Sequence, residues 1–88
     1  MIFDQEDARA IAQKLGAVIT KGRSHDIVNY PSVENPVVKF GIRRASRSEG
    51  HDYIPKQMFW AQKNCREFRE CKISLAQYED HLKTTGRL

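Results

Sequence analysis

Between Ala17 and Ile42 the chain carries three short β-branched runs separated by turn-forming stretches, and no other feature restricts the fold as much. Ala17 to Lys21 is the first run, with Val18, Ile19 and Thr20 at its centre. Lys21-Gly22-Arg23-Ser24 turns the chain, and His25 to Tyr30 is the second run. Pro31 through Pro36 has the composition of a loop, with prolines, a serine and an asparagine close together. Val37 to Ile42 is the third run. The first two predict a hairpin, and all three together predict a three-stranded antiparallel meander.

Strand alternation then sorts the side chains onto two faces. In the third strand Val38, Phe40 and Ile42 share one face, which is the core face, while Val37, Lys39 and Gly41 share the other. The second strand offers two choices: Val28 with Tyr30 inside, or His25 with Ile27 and Asn29 inside. The apolar weight of Val28 and Tyr30 favours the first choice, although Ile27 argues for the second. The first choice puts His25 on the open face with Lys39.

Helical patterns flank the strands. Ala8, Ile11, Ala12 and Leu15 recur at i, i+3, i+4 and i+7, so residues 4 to 15 predict an amphipathic helix. Asp4 can cap it, Glu6 and Asp7 suit the positive end of its dipole, and Gly16 is a natural stop. After the third strand, Arg43 to Tyr53 is a loop of charge, serine and glycine. Ile54-Pro55 opens a second helix whose buried stripe is Met58, Ala61, Cys65 and Phe68, with Trp60 either widening that stripe or lying at its edge. Ser74-Leu75-Ala76-Gln77 has the capping-box pattern and starts a third helix running to about Thr84. The expectation is an α+β fold of order α-β-β-β-α-α, with helices on one sheet face and the other face in water. A chain of 88 residues holds one such domain.

Basic residues number 15 against 11 acidic ones, a net charge of +4, which suits an acidic partner such as nucleic acid. No apolar run approaches the roughly 20 residues of a membrane span. The acidic start, Met1-Ile2-Phe3-Asp4-Gln5-Glu6-Asp7, has none of the features of a signal peptide, so a cytoplasmic location is expected. Cys65 and Cys71 point apart on a helix and read as reduced thiols. The scattered histidines and cysteines lack metal-ligand spacing, and no cofactor is expected.

The chemistry-bearing stretch is Lys21-Gly22-Arg23-Ser24-His25. Histidine can take and give protons near neutral pH, and basic residues surround this one in sequence. On spacing alone His25 is also an ordinary solvated strand residue. Lys21, Arg23, Lys39, Arg43, Arg44, Arg47 and Lys56, with Ser24 beside the histidine, form a candidate phosphate-contacting set. Aromatic interleaving is thin, with only Tyr30, Tyr53 and Trp60 available, so contact to the RNA backbone is favoured over base stacking. His51, next to Asp52, is a candidate second acid. His81 reads as structural. Asp26 falls on the face opposite His25, which argues against its orienting a catalytic base.

Three stretches resemble the HicA family of small bacterial toxins. They are Leu15-Gly16-Ala17-Val18 after the first helix, Lys21-Gly22-Arg23-Ser24-His25-Asp26-Ile27, and the closing Ile73-Ser74-Leu75-Ala76-Gln77-Tyr78-Glu79. The stretch from Lys21 to Ile27 is similar to the family's Gly-Ser-His-His-Ile motif. The resemblance implies a fold like a double-stranded RNA-binding domain and a metal-independent ribonuclease acting on messenger RNA with His25 as general acid/base. It also implies a small HicB-like antitoxin as partner. Asp26 stands where the family has its second histidine, and Arg23 is inserted before Ser24. The long Arg43 to Tyr53 loop replaces a compact link, and Ile54-Pro55-Lys56-Gln57 replaces a Gly-Thr-Leu helix opening. The alternatives are a non-catalytic nucleic-acid-binding module of the same fold and a small protein-interaction domain.

Overall fold

The computed structural model describes residues 3–44, 51 and 53–88. Among the described residues seven elements follow in order: α1 (Gln5–Leu15), β1 (Val18–Lys21), β2 (His25–Tyr30), β3 (Val38–Arg43), α2 (Ile54–Gln57), α3 (Gln62–Arg69) and α4 (Leu75–Thr84). The fold is α+β, and β1-β2-β3 is the strand order of one antiparallel sheet.

Helix α1 starts and stops for the reasons its sequence gives. The Asp4 carboxylate accepts from the Asp7 amide at 2.8 Å, and the Asp7 carboxylate accepts from the Asp4 amide at 3.2 Å, closing a capping box. Gly16 ends the helix with φ of 67°, a left-handed conformation in which a side chain would be strained. Ala8, Ile11, Ala12 and Leu15 form the buried stripe. Asp7 also ties α1 to α3, because Arg69 Nε donates to its Oδ1 at 2.9 Å and Arg66 Nη1 lies 3.6 Å away.

The strand faces follow the alternation. Val28 and Tyr30 of β2 and Val38, Phe40 and Ile42 of β3 are buried in the core with the α1 stripe. Strand β1 is exposed at all four residues, Val18 at 44% and Ile19 at 48%. It is the uncovered edge of the sheet. The opposite edge, β3, is engaged: Tyr53 hydroxyl donates to the Gly41 carbonyl, and Gln5 Nε2 donates to the Arg43 carbonyl.

The region after Tyr53 differs from the expectation of one long second helix. Helix α2 stops at Gln57, Phe59 takes a positive φ of 56°, and Ala61 is the extended N-cap of α3. Met58, Cys65 and Phe68 are buried as expected, but Ala61 is exposed. The break has a packing reason. It turns the Met58 and Phe59 carbonyls toward α4, where Tyr78 hydroxyl donates to Met58 at 2.7 Å and His81 Nε2 donates to Phe59 at 2.9 Å. A continuous helix would have used both carbonyls internally. Trp60 then stacks against Tyr78 and His81, with ring centroids at 4.6 and 5.5 Å. Burial pushes the Cys65 thiol up to about 12, consistent with a structural cysteine.

Helix α4 opens on the expected capping box, with Ser74 Oγ accepting from the Gln77 amide at 3.2 Å. Among the described residues no helix is long and apolar enough to cross a membrane.

Candidate nucleic-acid interface

The β1–β2 turn is short, and its closure decides where His25 stands. Gly22 N donates to His25 O at 2.8 Å, which makes these two residues a hydrogen-bonded pair at the mouth of the hairpin. One side chain and a strand glycine then fix the imidazole. Ser24 Oγ lies 2.9 Å from His25 Nδ1. The ring lies over Gly41 of β3, where an added Cβ would meet His25 Cδ2 at 3.2 Å. The other ring nitrogen, Nε2, has no hydrogen bond among the described residues. One nitrogen is held and the other is open.

Register places the basic residues relative to that ring. Arg43 pairs directly with His25 across β2–β3, so its side chain leaves the same open face about 5 Å away at Cβ. Lys39 shares the face but pairs with Asn29, about 13 Å further along β3. Arg23 and Ser24 are exposed at the turn itself. Lys21 is exposed but pairs with Asp26, so alternation turns it toward the other face at the β1 edge. Lys56 is exposed on α2, which follows the sheet in the chain. Arg47 lies outside the described residues. The site therefore gathers Arg23, Ser24, His25 and Arg43 closely, Lys39 at a distance, and neither Lys21 nor Lys56.

The sheet interior behind the site is satisfied. Asn29 is on the open face by alternation yet buried, its amide donating to Val18 O at 3.2 Å, Thr20 Oγ1 at 3.3 Å and Ile27 O at 3.2 Å.

Asp26 and Arg44 form the reverse side of the turn. Asp26 is 9% exposed and accepts from Arg44 Nη1 at 2.9 Å and from Arg9 Nη2 at 3.1 Å. The Arg44 hydrogen bond holds the Asp26 carboxyl below its usual range; burial opposes this, and Arg9 adds to it. At Asp7 burial is the largest single influence and works upward. The Asp4 amide, Arg69 and Arg66 together outweigh it, so that carboxyl is lowered too. A carboxyl whose folded value is depressed stabilises the fold above its unfolded value and loses that contribution as pH falls through the folded one. Stability is expected to be flat above the ordinary aspartate value of 3.8 and to decline below it. Urea denaturation across acid pH measures this decline. Asp7→Asn and Asp26→Asn should each make the acid limb shallower, and an unchanged limb would deny both ion pairs a role.

His51 does not join the site. It is fully buried, its amide donates to Phe3 O at 2.7 Å, and its Nε2 accepts from the Arg43 amide at 3.3 Å. His81 is fixed on the α2–α3 break. Among the described residues no group of three His, Cys, Asp or Glu is placed to hold a metal ion.

Two contributors are not singled out by the sequence reading. Gly41 is the floor under the imidazole, and a glycine inside a strand is a readable sign of close approach. Arg9 holds Asp26 from α1, and nothing local to either residue announces that pair. Gly41→Ala is expected to move the His25 ring by a few tenths of an ångström while leaving the fold intact. The His25 imidazole resonances report the movement, and resonances identical to wild type would mean that the glycine is incidental.

Comparison with family models, curated proteins and solved structures returned no match.

Proposed function

We propose that the open sheet face binds RNA and that His25 cleaves it by acid–base assistance of internal 2′-OH attack, the reaction of HicA-type toxins. The observation that carries this reading is the state of the imidazole. Ser24 engages Nδ1 at 2.9 Å, while Nε2 is open on a face that also presents Arg43. Such a histidine can move a proton at Nε2 while its ring orientation is held from the other side. Arg23 and Arg43 supply positive charge for the phosphate and for the charge that develops on the phosphorane. Lys39 extends the cationic surface along β3. In this reading the chain is a growth-arresting toxin, and a small HicB-like antitoxin covers the face.

A second reading has one observation in its favour. His51 is buried and His81 is bound to Phe59 O, so among the described residues only His25 offers an open imidazole. A non-catalytic RNA-binding module of the same fold needs no second proton carrier.

Induced expression separates the two, comparing wild type with His25→Ala and checking folding by circular dichroism. Growth arrest and RNA decay with wild type, both lost in a folded His25→Ala, support the ribonuclease. Identical behaviour of the two proteins refutes nuclease chemistry at His25.

A further inference from the structure

We infer that Arg44 is a positioning residue for His25, acting through the turn, and is not a ligand of RNA phosphate. The inference deepens the ribonuclease reading and rests on it only for its kinetic consequences.

Arg44 follows β3, and its side chain reaches back across the sheet end to the turn. Nη2 donates to Gly22 O at 2.8 Å and to Arg23 O at 2.6 Å. Nη1 donates to Asp26 Oδ1 at 2.9 Å and lies 3.5 Å from His25 O. The Arg44 amide adds a bond to Ser24 O at 3.3 Å. Residues 22 to 25 thus each have their carbonyl near a donor of one residue. The second Asp26 oxygen is held by Arg9 of α1 at 3.1 Å, so the turn is anchored to a helix through a carboxylate with a guanidinium on each oxygen.

The chemistry of the group explains why arginine stands there. A planar fork can serve a carboxylate and two adjacent carbonyls at once, whereas an ammonium is a point donor. With both terminal nitrogens directed at Asp26 and the turn, an incoming phosphate would have to displace an ion pair. Arg43 pairs with His25 and so lies on the opposite face from Asp26, and Arg23 is exposed at the turn. A charge census of the sequence counts these three arginines alike. The geometry sets Arg44 apart as the clamp of the turn. The clamp's value to a cleavage reaction is preorganisation, because the Ser24–His25 geometry is only as fixed as the turn carrying it.

The test uses the full chain, the variants Arg44→Lys, Arg44→Gln and Asp26→Asn, the double variant Arg44→Lys/Asp26→Asn, and Arg23→Gln and Arg43→Gln for comparison. The reporter is hydrogen exchange at the Gly22 amide, which closes the turn, with amides of α4 as the internal reference for global opening. Loss of a charge-assisted bond should speed Gly22 exchange about tenfold or more in Arg44→Lys and leave α4 unchanged. Asp26→Asn should act in the same direction, and the double variant should be no worse than the worse single one, because both break one unit. In cleavage, Arg44→Lys should lower kcat and leave KM near wild type. Arg44→Gln should keep the salt slope of RNA binding, whereas Arg23→Gln and Arg43→Gln should each lower it by about one.

Unchanged Gly22 exchange, equal acceleration in α4, or a slope reduced by about one in Arg44→Gln would each overturn the assignment. So would full rescue of kcat by lysine. If wild type does not cleave RNA, the ribonuclease reading fails, while the exchange data still decide whether Arg44 clamps the turn.

Discussion

His25→Gln is expected to lower the RNA cleavage rate by about 10²–10⁴-fold while leaving RNA affinity unchanged. The size follows from the role of a proton-transferring group, and the choice of glutamine follows from the geometry. Glutamine is close in bulk to imidazole, so it can lie over Gly41 and still meet Ser24 Oγ, which lies 2.9 Å from Nδ1 in wild type. It cannot carry a proton at the Nε2 position. A phosphate-contacting role for His25 would show as a KM effect, and a packing role would show as lost stability. Single-turnover cleavage of a labelled RNA, with affinity measured separately, distinguishes these outcomes. A rate within error of wild type would remove His25 from the chemistry.

Phe68→Ala is expected to cost about 3–5 kcal/mol of folding stability. That is a large part of the whole, since domains of this size are stable by about 5–15 kcal/mol, and short chains tend to the lower end. Phe68 is 1% exposed and sits where α3 meets both neighbours. Its ring centroid lies 5.7 Å from Tyr78 of α4 and 6.1 Å from Trp60 at the helix break, with Lys14 Nζ of α1 at 5.9 Å over the ring. Truncation removes contacts to three parts of the chain at once, and none of them can collapse into the gap without shifting a helix. Urea denaturation followed by circular dichroism should find a largely unfolded or strongly destabilised protein. A cost under about 1.5 kcal/mol, the range of tolerated swaps, would mean that α3 is not a core element.

The parts of this fold governed by local rules are legible in the sequence. The alternation of Val38, Phe40 and Ile42 against Lys39 and Gly41 places the core face of β3. Val28 and Tyr30 favour the matching face of β2 and leave His25 on the other side with Lys39, while Arg43, read as loop, joins them because β3 runs one residue further. Asp4, Gly16 and Ser74 mark helix ends by capping chemistry, and all three do that work. The break at Phe59 is not legible, because Met58, Ala61, Cys65 and Phe68 keep helical spacing across it. What interrupts the helix is the demand of Tyr78 and His81 for two carbonyls, and those side chains are about 20 residues away. The site divides in the same way. The turn and its histidine are local and readable. The roles of Arg9, Arg44 and Asp26 depend on contacts between α1, β2 and the end of β3, so a count of positive charges places Arg44 with the phosphate ligands. His51 next to an aspartate reads as an accessible acid, and its burial comes from contacts with Phe3 and Arg43 that the loop sequence does not encode.

Titration of isotope-labelled protein with a short RNA hairpin decides whether the open sheet face around His25 is an RNA-binding surface, as proposed. RNA binding there shifts Arg23, Ser24, His25, Ile27, Lys39, Gly41 and Arg43, and it weakens with salt by roughly 0.9 in log–log slope for each phosphate contact. Shifts confined to the α3 and α4 surfaces, or no salt-sensitive binding at all, would contradict it.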